Sequence, residues 1–371
     1  MKFRFLFAGV SAVALASTAA LVTACSSDDP APATSTGGAA IPGPAGSATT
    51  STTRQVFAAS KVFLGDTDRS GTPSDVAWKK YGYDLDGKKT TSKSKDACLP
   101  SAGGPPIPDG DNGVDNSFGA NVLGVLKNAL PTPTPTTQNS INDGAFTLLF
   151  DLTGLSAEAK QSNTGLSGQV LVPGPFPENT KPNWADPANI EFAVRSNLVD
   201  GNDPTKSKIK FSEVYVNEGL LVAKSPSIDL TLAFGGVNAV LSIKNAVVTA
   251  NHSSADKLTG GTIVGVLKLA DLQQLITDIG PRLTDQLCPG SQTLKTALDA
   301  LAQYGDIMVA GANGPGTCDG ISIALGFEAV QVKAPTKLYT PEAVTEEGDK
   351  CSPADAGKDA STTADAGADA K

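Results

Sequence analysis

One histidine, His252, serves the whole chain of 371 residues. A Ser-His-Asp arrangement would have to use it, yet it lies in NHSSADK, which reads as an exposed polar turn. No G-x-S-x-G elbow occurs to supply a nucleophile. An ordinary zinc site is excluded on the same ground, because one imidazole and cysteines expected in disulfides cannot furnish four ligands. Basic charge is also short: 29 Lys and Arg stand against 38 Asp and Glu, a net charge of −9. No nucleic acid partner is expected, since phosphates call for a basic surface. Aromatics reach only 5% while Gly (38) and Pro (25) are plentiful, which suits short segments joined by turns and argues against an all-helical fold.

What is present begins with MKFRFLFAGVSAVALASTAALVTACSSDD. Lys2 and Arg4 precede an apolar run from Phe5 through Leu15 and then small residues, the layout of a secretory signal over 1–24. An uncleaved membrane span is the alternative, but Gly9, Ser11, Ser17, Thr18 and Thr23 dilute it. Val22-Thr23-Ala24-Cys25 resembles the lipobox of bacterial lipoproteins. The resemblance implies that Cys25 is acylated, becomes the first mature residue and anchors the protein to the lipid bilayer. At about 0.8 kcal/mol per buried CH₂, two or three chains hold a soluble domain where one would not. Ser26 after the cysteine, in place of Asp, implies the outer membrane. Loss of 1–24 leaves 27 basic against 38 acidic residues, a net charge of −11.

Four cysteines then remain, Cys98, Cys288, Cys318 and Cys351, and an oxidising compartment makes two disulfides the expectation. Of the three pairings, Cys288 with Cys318 and Cys98 with Cys351 is favoured, because the first pair flanks one helix and one strand.

Residues 25–54 are rich in Pro, Gly, Ser, Thr and Ala and read as a disordered stalk; 339–371 reads as a disordered acidic tail. This layout resembles uncharacterised envelope lipoproteins of Gram-negative bacteria, a likeness that implies a compartment and no activity. Between the ends, PTPTPTT at 131–137 reads as a spacer that neither a helix nor a central strand crosses. It divides a turn-rich part, 55–130, from a β-rich domain, 138–338. The first part has one clear helix, NSFGANVLGVLKNAL, with Phe118, Val122, Val125 and Leu126 on one face, and a short second candidate, SDVAWKKY. In the second part the apolar rows Phe146/Leu148/Phe150/Leu152, Ile190/Phe192/Val194, Ile228/Leu230/Leu232/Phe234 and Ile321/Ile323/Leu325/Phe327 alternate at period two. A phase slip between Phe211 and Val214 suggests a bulge. A helical pair at 269–304 interrupts the strands, with Ser291 as N-cap of its second member. The expected fold is mainly β: an antiparallel sandwich or curved sheet with the helical pair packed on it.

Chemistry is sought first in the acidic pairs Asp66/Asp68, Asp84/Asp86 and Asp109/Asp111, the last followed by Asp115. Carboxylates two apart in glycine-bearing loops can converge on Ca²⁺, which takes six to eight oxygens; the competing reading is that they cap turns. GDTDRSG matches the start of an EF-hand loop, but Ala77 stands where the bidentate Glu belongs. GYDLDGKKT approaches a phosphate loop, but Lys89 follows Lys88 where a hydroxyl is needed, and Asp84 and Asp86 would sit in the cradle. Trp78 and Trp184 are candidate sugar platforms, with burial in a cluster as the ordinary alternative. The reading that results is a non-enzymatic, membrane-tethered binding or structural module, calcium-stabilised, whose partner is an envelope protein or a glycan. The competing reading is an exported hydrolase of polysaccharide or ester bonds that uses carboxylates.

Overall fold

The computed structural model describes residues 40–129, 132–234, 237–310, 314–341, 348 and 350–351. The signal segment, Cys25, residues 26–39 and the tail beyond 351 lie outside the described residues.

Among the described residues twelve strands and four α-helices follow one another as β1 (Ser47–Ala48), β2 (Arg54–Phe63), α1 (Leu123–Ala129), α2 (Pro133–Asn142), β3 (Leu149–Thr153), β4 (Asn163–Leu171), β5 (Val194–Arg195), β6 (Ile209–Lys210), β7 (Glu213–Asn217), β8 (Leu220–Phe234), β9 (Val237–Ser254), β10 (Lys257–Lys268), α3 (Leu269–Leu283), α4 (Gln292–Ala302), β11 (Gly320–Val332) and β12 (Leu338–Tyr339). The principal sheet runs β4-β3-β2-β11-β10-β9-β8-β7, and β7 pairs back onto β4, so eight antiparallel strands close into a barrel. Closure corrects the expected sandwich. Apolar rows that could have faced a second sheet, such as Phe150/Leu152 and Ile321/Ile323/Leu325/Phe327, share the interior of a single closed one, and β7 meets β4 where a sandwich would leave two edges. Each strand follows its neighbour in chain order, an up-and-down meander, so the connections alternate between the two ends.

Alternation fills the interior. Phe57, Phe150, Leu152, Val170, Val216, Ile243, Val248, Ile263, Ile321, Ile323, Leu325 and Phe327 all belong to one buried cluster. Phe150 and Phe327 stack there with ring centroids 4.8 Å apart. Gly261 makes room: a Cβ at this position would lie 2.5 Å from the Phe327 ring. In β2 the inward set shifts from Phe57 and Ala59 to Val62 and Leu64, because Ser60 is an extra residue opposite Glu328/Ala329. The slip foreseen between Phe211 and Val214 is a break between β6 and β7.

The two ends differ. At one, β3–β4, β7–β8 and β9–β10 are joined by short connections; at the other, segments 64–148, 172–212 and 269–319 carry all four helices. Phe118, Val122, Leu123, Ile141, Leu269, Leu272 and Leu301 extend the barrel core at this helical end. Ser291 caps α4 by accepting from Leu294 N at 3.1 Å, as its sequence position foretold. Two local readings are corrected here. PTPTPTT does enter a helix: Pro133 and Pro135 occupy the first turn of α2, where an N–H has no intrahelical acceptor, and Thr136 N→Thr132 O (3.0 Å) is the first helical bond. In the helix before it, a π turn at Phe118–Val122 shifts the phase, so Leu123 is buried and Val125 faces solvent.

Two further layers cover the barrel's outside. Ile190, Phe192 and Val194 pack with Val56, Ala58, Leu149, Leu171 and Val332, but as an irregular segment with only the two-residue β5, not as a full strand. Tyr81 and Tyr83 pack with Phe63, Val264 and Ala324. Residues 40–53, read from composition as stalk, lie along the barrel: β1 pairs with β4, and Tyr215 donates its hydroxyl to Pro42 O at 2.7 Å.

The disulfides are Cys98–Cys318 and Cys288–Cys351, the reverse of the favoured pairing. Sequence separation misled it. Leu99 and Thr317 form a β-bridge beside the first bond, and Lys350 N donates to Pro281 O near the second, so segments distant in sequence hold these cysteines together. Non-reducing digestion should yield peptides joining 98 to 318 and 288 to 351; recovery of a 288–318 peptide would contradict this fold.

Candidate metal centre

β2 stops at Phe63, opposite Gly326, while β11 continues back to Gly320, so part of one edge of β11 lacks a strand partner. Side chains and a bridge take its place. Gly320 pairs with Ile307; Ser322 N donates to Asp306 Oδ1 at 2.8 Å; Ala324 N donates to Asn116 Oδ1 at 3.2 Å. Ser117 N, in turn, donates to Ser322 Oγ at 2.8 Å. These bonds pull the 109–117 loop and Asp306 onto the barrel wall, and the 82–90 loop is laid over both.

In that second loop GYDLDGKKT is a turn closed by its own carboxylates. Asp84 Oδ1 accepts from Gly87 N (2.7 Å) and Lys88 N (3.0 Å), and Asp86 Oδ1 accepts from Lys88 N (2.8 Å). Amides that would cradle a phosphate are thereby occupied. Gly82 (φ +124°) could not be replaced without strain, because a Cβ there would lie 3.0 Å from Ala324 Cβ and from Val114 Cγ1. Asp115 Oδ2 accepts from Leu85 N at 2.6 Å, joining the two loops.

The result is a group of carboxylates. Asp84, Asp86 and Asp115 each present an oxygen within 4.8 Å of the others'. Oxygens on a sphere of about 2.4 Å radius are at most about 4.8 Å apart, so the three fit the first shell of Ca²⁺ with room for carbonyls and water. Asp109 and Asp306 stand close enough to add to the same field. Burial, then the charges of Asp306, Asp86 and Asp109, pushes Asp115 up to about 9. Burial foremost raises Asp109 to about 7 and Asp306 to about 7, and it also raises Asp84. Among the described residues no Lys or Arg forms an ion pair with Asp84, Asp109, Asp115 or Asp306.

Of the sequence candidates, Asp84 and Asp86 converge with Asp115, Asp109 lies within their electrostatic reach, and Asp66, Asp68 and Asp111 stand apart. Asp66 is buried and accepts from Thr134 N and Thr134 Oγ1 at the start of α2. Asp68 closes an exposed turn by accepting from Ser70 N and Thr72 N, both at 2.9 Å. Asp111 is exposed, and its backbone N–H donates to Lys79 O. Asp306 carried no sequence signal, since only the pairing of β11 brings it here. Trp184 packs with Phe192 and points its Nε1–H toward Ile141 O at 3.4 Å, so it belongs to a cluster and is no open platform. Trp78 is half-buried, its Cβ against Gly65 and Gly119, with Lys79 Nζ 5.7 Å from its ring centroid. His252 is 1% exposed and lies in β9, which corrects the exposed-turn reading: the strand runs farther than its polar residues suggest.

A carboxyl held above its ordinary value binds its proton more tightly folded than unfolded. The stability this contributes is complete below about pH 4 and is lost as pH rises through 7 and toward 9. In chelator, the unfolding free energy should therefore decline across that window. Asp115→Asn, which replaces a carboxyl that must hold a proton to stay buried by a neutral amide, should flatten the decline and raise the urea midpoint at pH 8; an unaltered slope would show that the carboxyls do not act as a group.

A scan against protein-family models, a search of curated proteins and a search of solved structures each found no match for this chain.

Proposed function

We propose that the protein is a lipid-anchored module of a Gram-negative cell envelope, held at the outer membrane through acylated Cys25, that binds or braces another envelope component without catalysing a reaction. The supporting observation is the filled barrel. The recess inside it amounts to ≈ 10 Å³ among Ala59, Leu148, Ile263 and Phe327, about one probe sphere and all apolar. An open surface recess of ≈ 430 Å³ lies over Phe176, Asn179 and Thr180, with Asp143 already paired to Lys181 at 2.5 Å. The first holds no carboxylate; the second is lined by Asp143 and Glu178, but the ion pair with Lys181 occupies Asp143. The partner is an envelope protein or a glycan, met by the barrel's outer layers and loops.

Calcium belongs to this reading as a structural ion. Asp84, Asp86 and Asp115 would hold it, with Asp109 at the margin, and the ion would neutralise carboxylates that now oppose one another. Its role is to fasten the 82–90 and 109–117 loops to β11.

A second reading, an exported hydrolase of polysaccharide or ester bonds, draws support from the same carboxyls, because groups raised to about 7 and about 9 resemble general acids poised near neutrality.

Two measurements test these statements. Intact mass of the detergent-extracted protein should fit a chain that begins at a diacylated or triacylated Cys25; any other mature N-terminus removes the anchor. Calcium at a hundredfold excess over its Kd should raise the unfolding free energy at pH 8 by about 2.7 kcal/mol. An unchanged midpoint dismisses the ion, and hydrolysis lost in a folded Asp115→Asn variant would replace the first reading with the second.

A further inference from the structure

The turn end of the barrel contains the chain's one histidine, and its surroundings differ from everything at the helical end. His252 shares a face of β9 with Ala246, Val248 and Ala250, all members of the interior cluster, and is 1% exposed. Over it lies the β3–β4 connection, residues 154–162, which inserts Leu155 into the same core.

Gln161, 4% exposed, ties this loop together. Its Oε1 accepts from Ser156 N and from Asn163 Nδ2, each at 3.1 Å. Its Nε2 is 3.2 Å from Ser156 O, 3.0 Å from Glu158 O and 3.1 Å from His252 Nδ1. His252 Nδ1 is also 3.2 Å from Glu158 O. The neighbouring β7–β8 turn is joined to both: Gly219 N donates to Gln161 O, and His252 N donates to Gly219 O, each at 2.9 Å.

His252 Nε2 is buried with no partner. The ring is best satisfied when Nδ1–H donates to Glu158 O and Gln161 gives its two hydrogens to Ser156 O and Glu158 O. Nε2 is then a buried acceptor without a partner. A proton added there would be a donor without an acceptor and a charge without a counter-ion. The ionisable groups on the elements around it are Glu158 and Lys160 of the loop, Glu218 of the β7–β8 turn, and Asp256 and Lys257 of the β9–β10 turn, and all are exposed. Only burial, which lowers its pKa, and the Glu158 carbonyl, which raises it, act on the imidazole.

We propose that His252 is an acid-operated latch whose protonation releases the 154–162 loop and opens the turn end of the barrel. The release reaches further, because β1 pairs with Asn163 and Thr164, and Gly46 packs so closely on Ser162 that a Cβ would lie 1.9 Å from its carbonyl oxygen. The docked segment 40–49 therefore loosens with the loop. The proton joins Nε2, nothing else is consumed, and raising the pH recloses the end.

The experiment needs no variant to assign its signal, since the chain has a single histidine. The imidazole Hε1 resonance and the amide-exchange protection of residues 154–162 are followed from pH 8 to pH 4. The ring should titrate below its ordinary 6.5, and protection should fall by up to tenfold per pH unit from about 6.5 down to the ring's own midpoint, then level off. His252→Gln, neutral at every pH, should keep protection flat. Should that variant fail to fold, coincidence of the two wild-type curves decides. A ring that titrates at 6.5 over a loop of constant protection overturns the proposal. So does a fall that persists in His252→Gln, which would assign the response to a group other than the imidazole; the Asp cluster, held above its ordinary values, would change protection in the opposite sense.

Discussion

The unequal lengths of β2 and β11 govern much of this structure. A buried backbone amide without a partner costs about 1–3 kcal/mol, and β11 presents a row of them where β2 has ended. Ile307, Asp306, Asn116 and then Phe63 of β2 answer Gly320, Ser322, Ala324 and Gly326 in turn, so every second residue along that edge meets a partner. Side chains complete what a strand would otherwise do. Because two of those partners sit in acidic segments, satisfying the edge also collects carboxylates. The Asp cluster is thus a consequence of how the edge is sealed, and the cation it suits would relieve a repulsion that the sealing creates.

Closure of the ring through β4 and β7 is the second constraint. It joins β7 to β4, and it lets alternation send rows such as Phe150/Leu152 and Ile321/Ile323/Leu325/Phe327 to one shared interior that aromatic and branched side chains fill. A filled barrel leaves little room for a ligand inside. Outside, the 66–117 and 173–208 segments build layers on the wall. The two ends divide the labour: helices and long connections seal one, and the other is shut by a small hydrogen-bonded loop over a histidine.

Much of the fold was legible in the sequence, and the reasons are local. Period-two rows such as Ile321/Ile323/Leu325/Phe327 mark inward faces whatever the strands pair with, and Ser291 caps α4 through an amide three residues away. The acidic loops were legible too, since Asp and Gly at those spacings form turns. Asp306 was not, because its place depends on a strand that lies beyond it in sequence. Proline was read as a breaker in PTPTPTT, although its cost falls on helix interiors and not on the first turn, where Pro133 stands.

By itself the sequence determined the strand faces, the helical pair and the turn chemistry of the aspartates, all properties of neighbours along the chain. Only the tertiary structure decided that the sheet closes, that Cys98 meets Cys318 and Cys288 meets Cys351, that Asp84, Asp86 and Asp115 converge while Asp66 caps a helix, and that His252 is buried. Each of these depends on which distant backbone must satisfy which, and that is settled when the barrel closes and its leftover amides find partners.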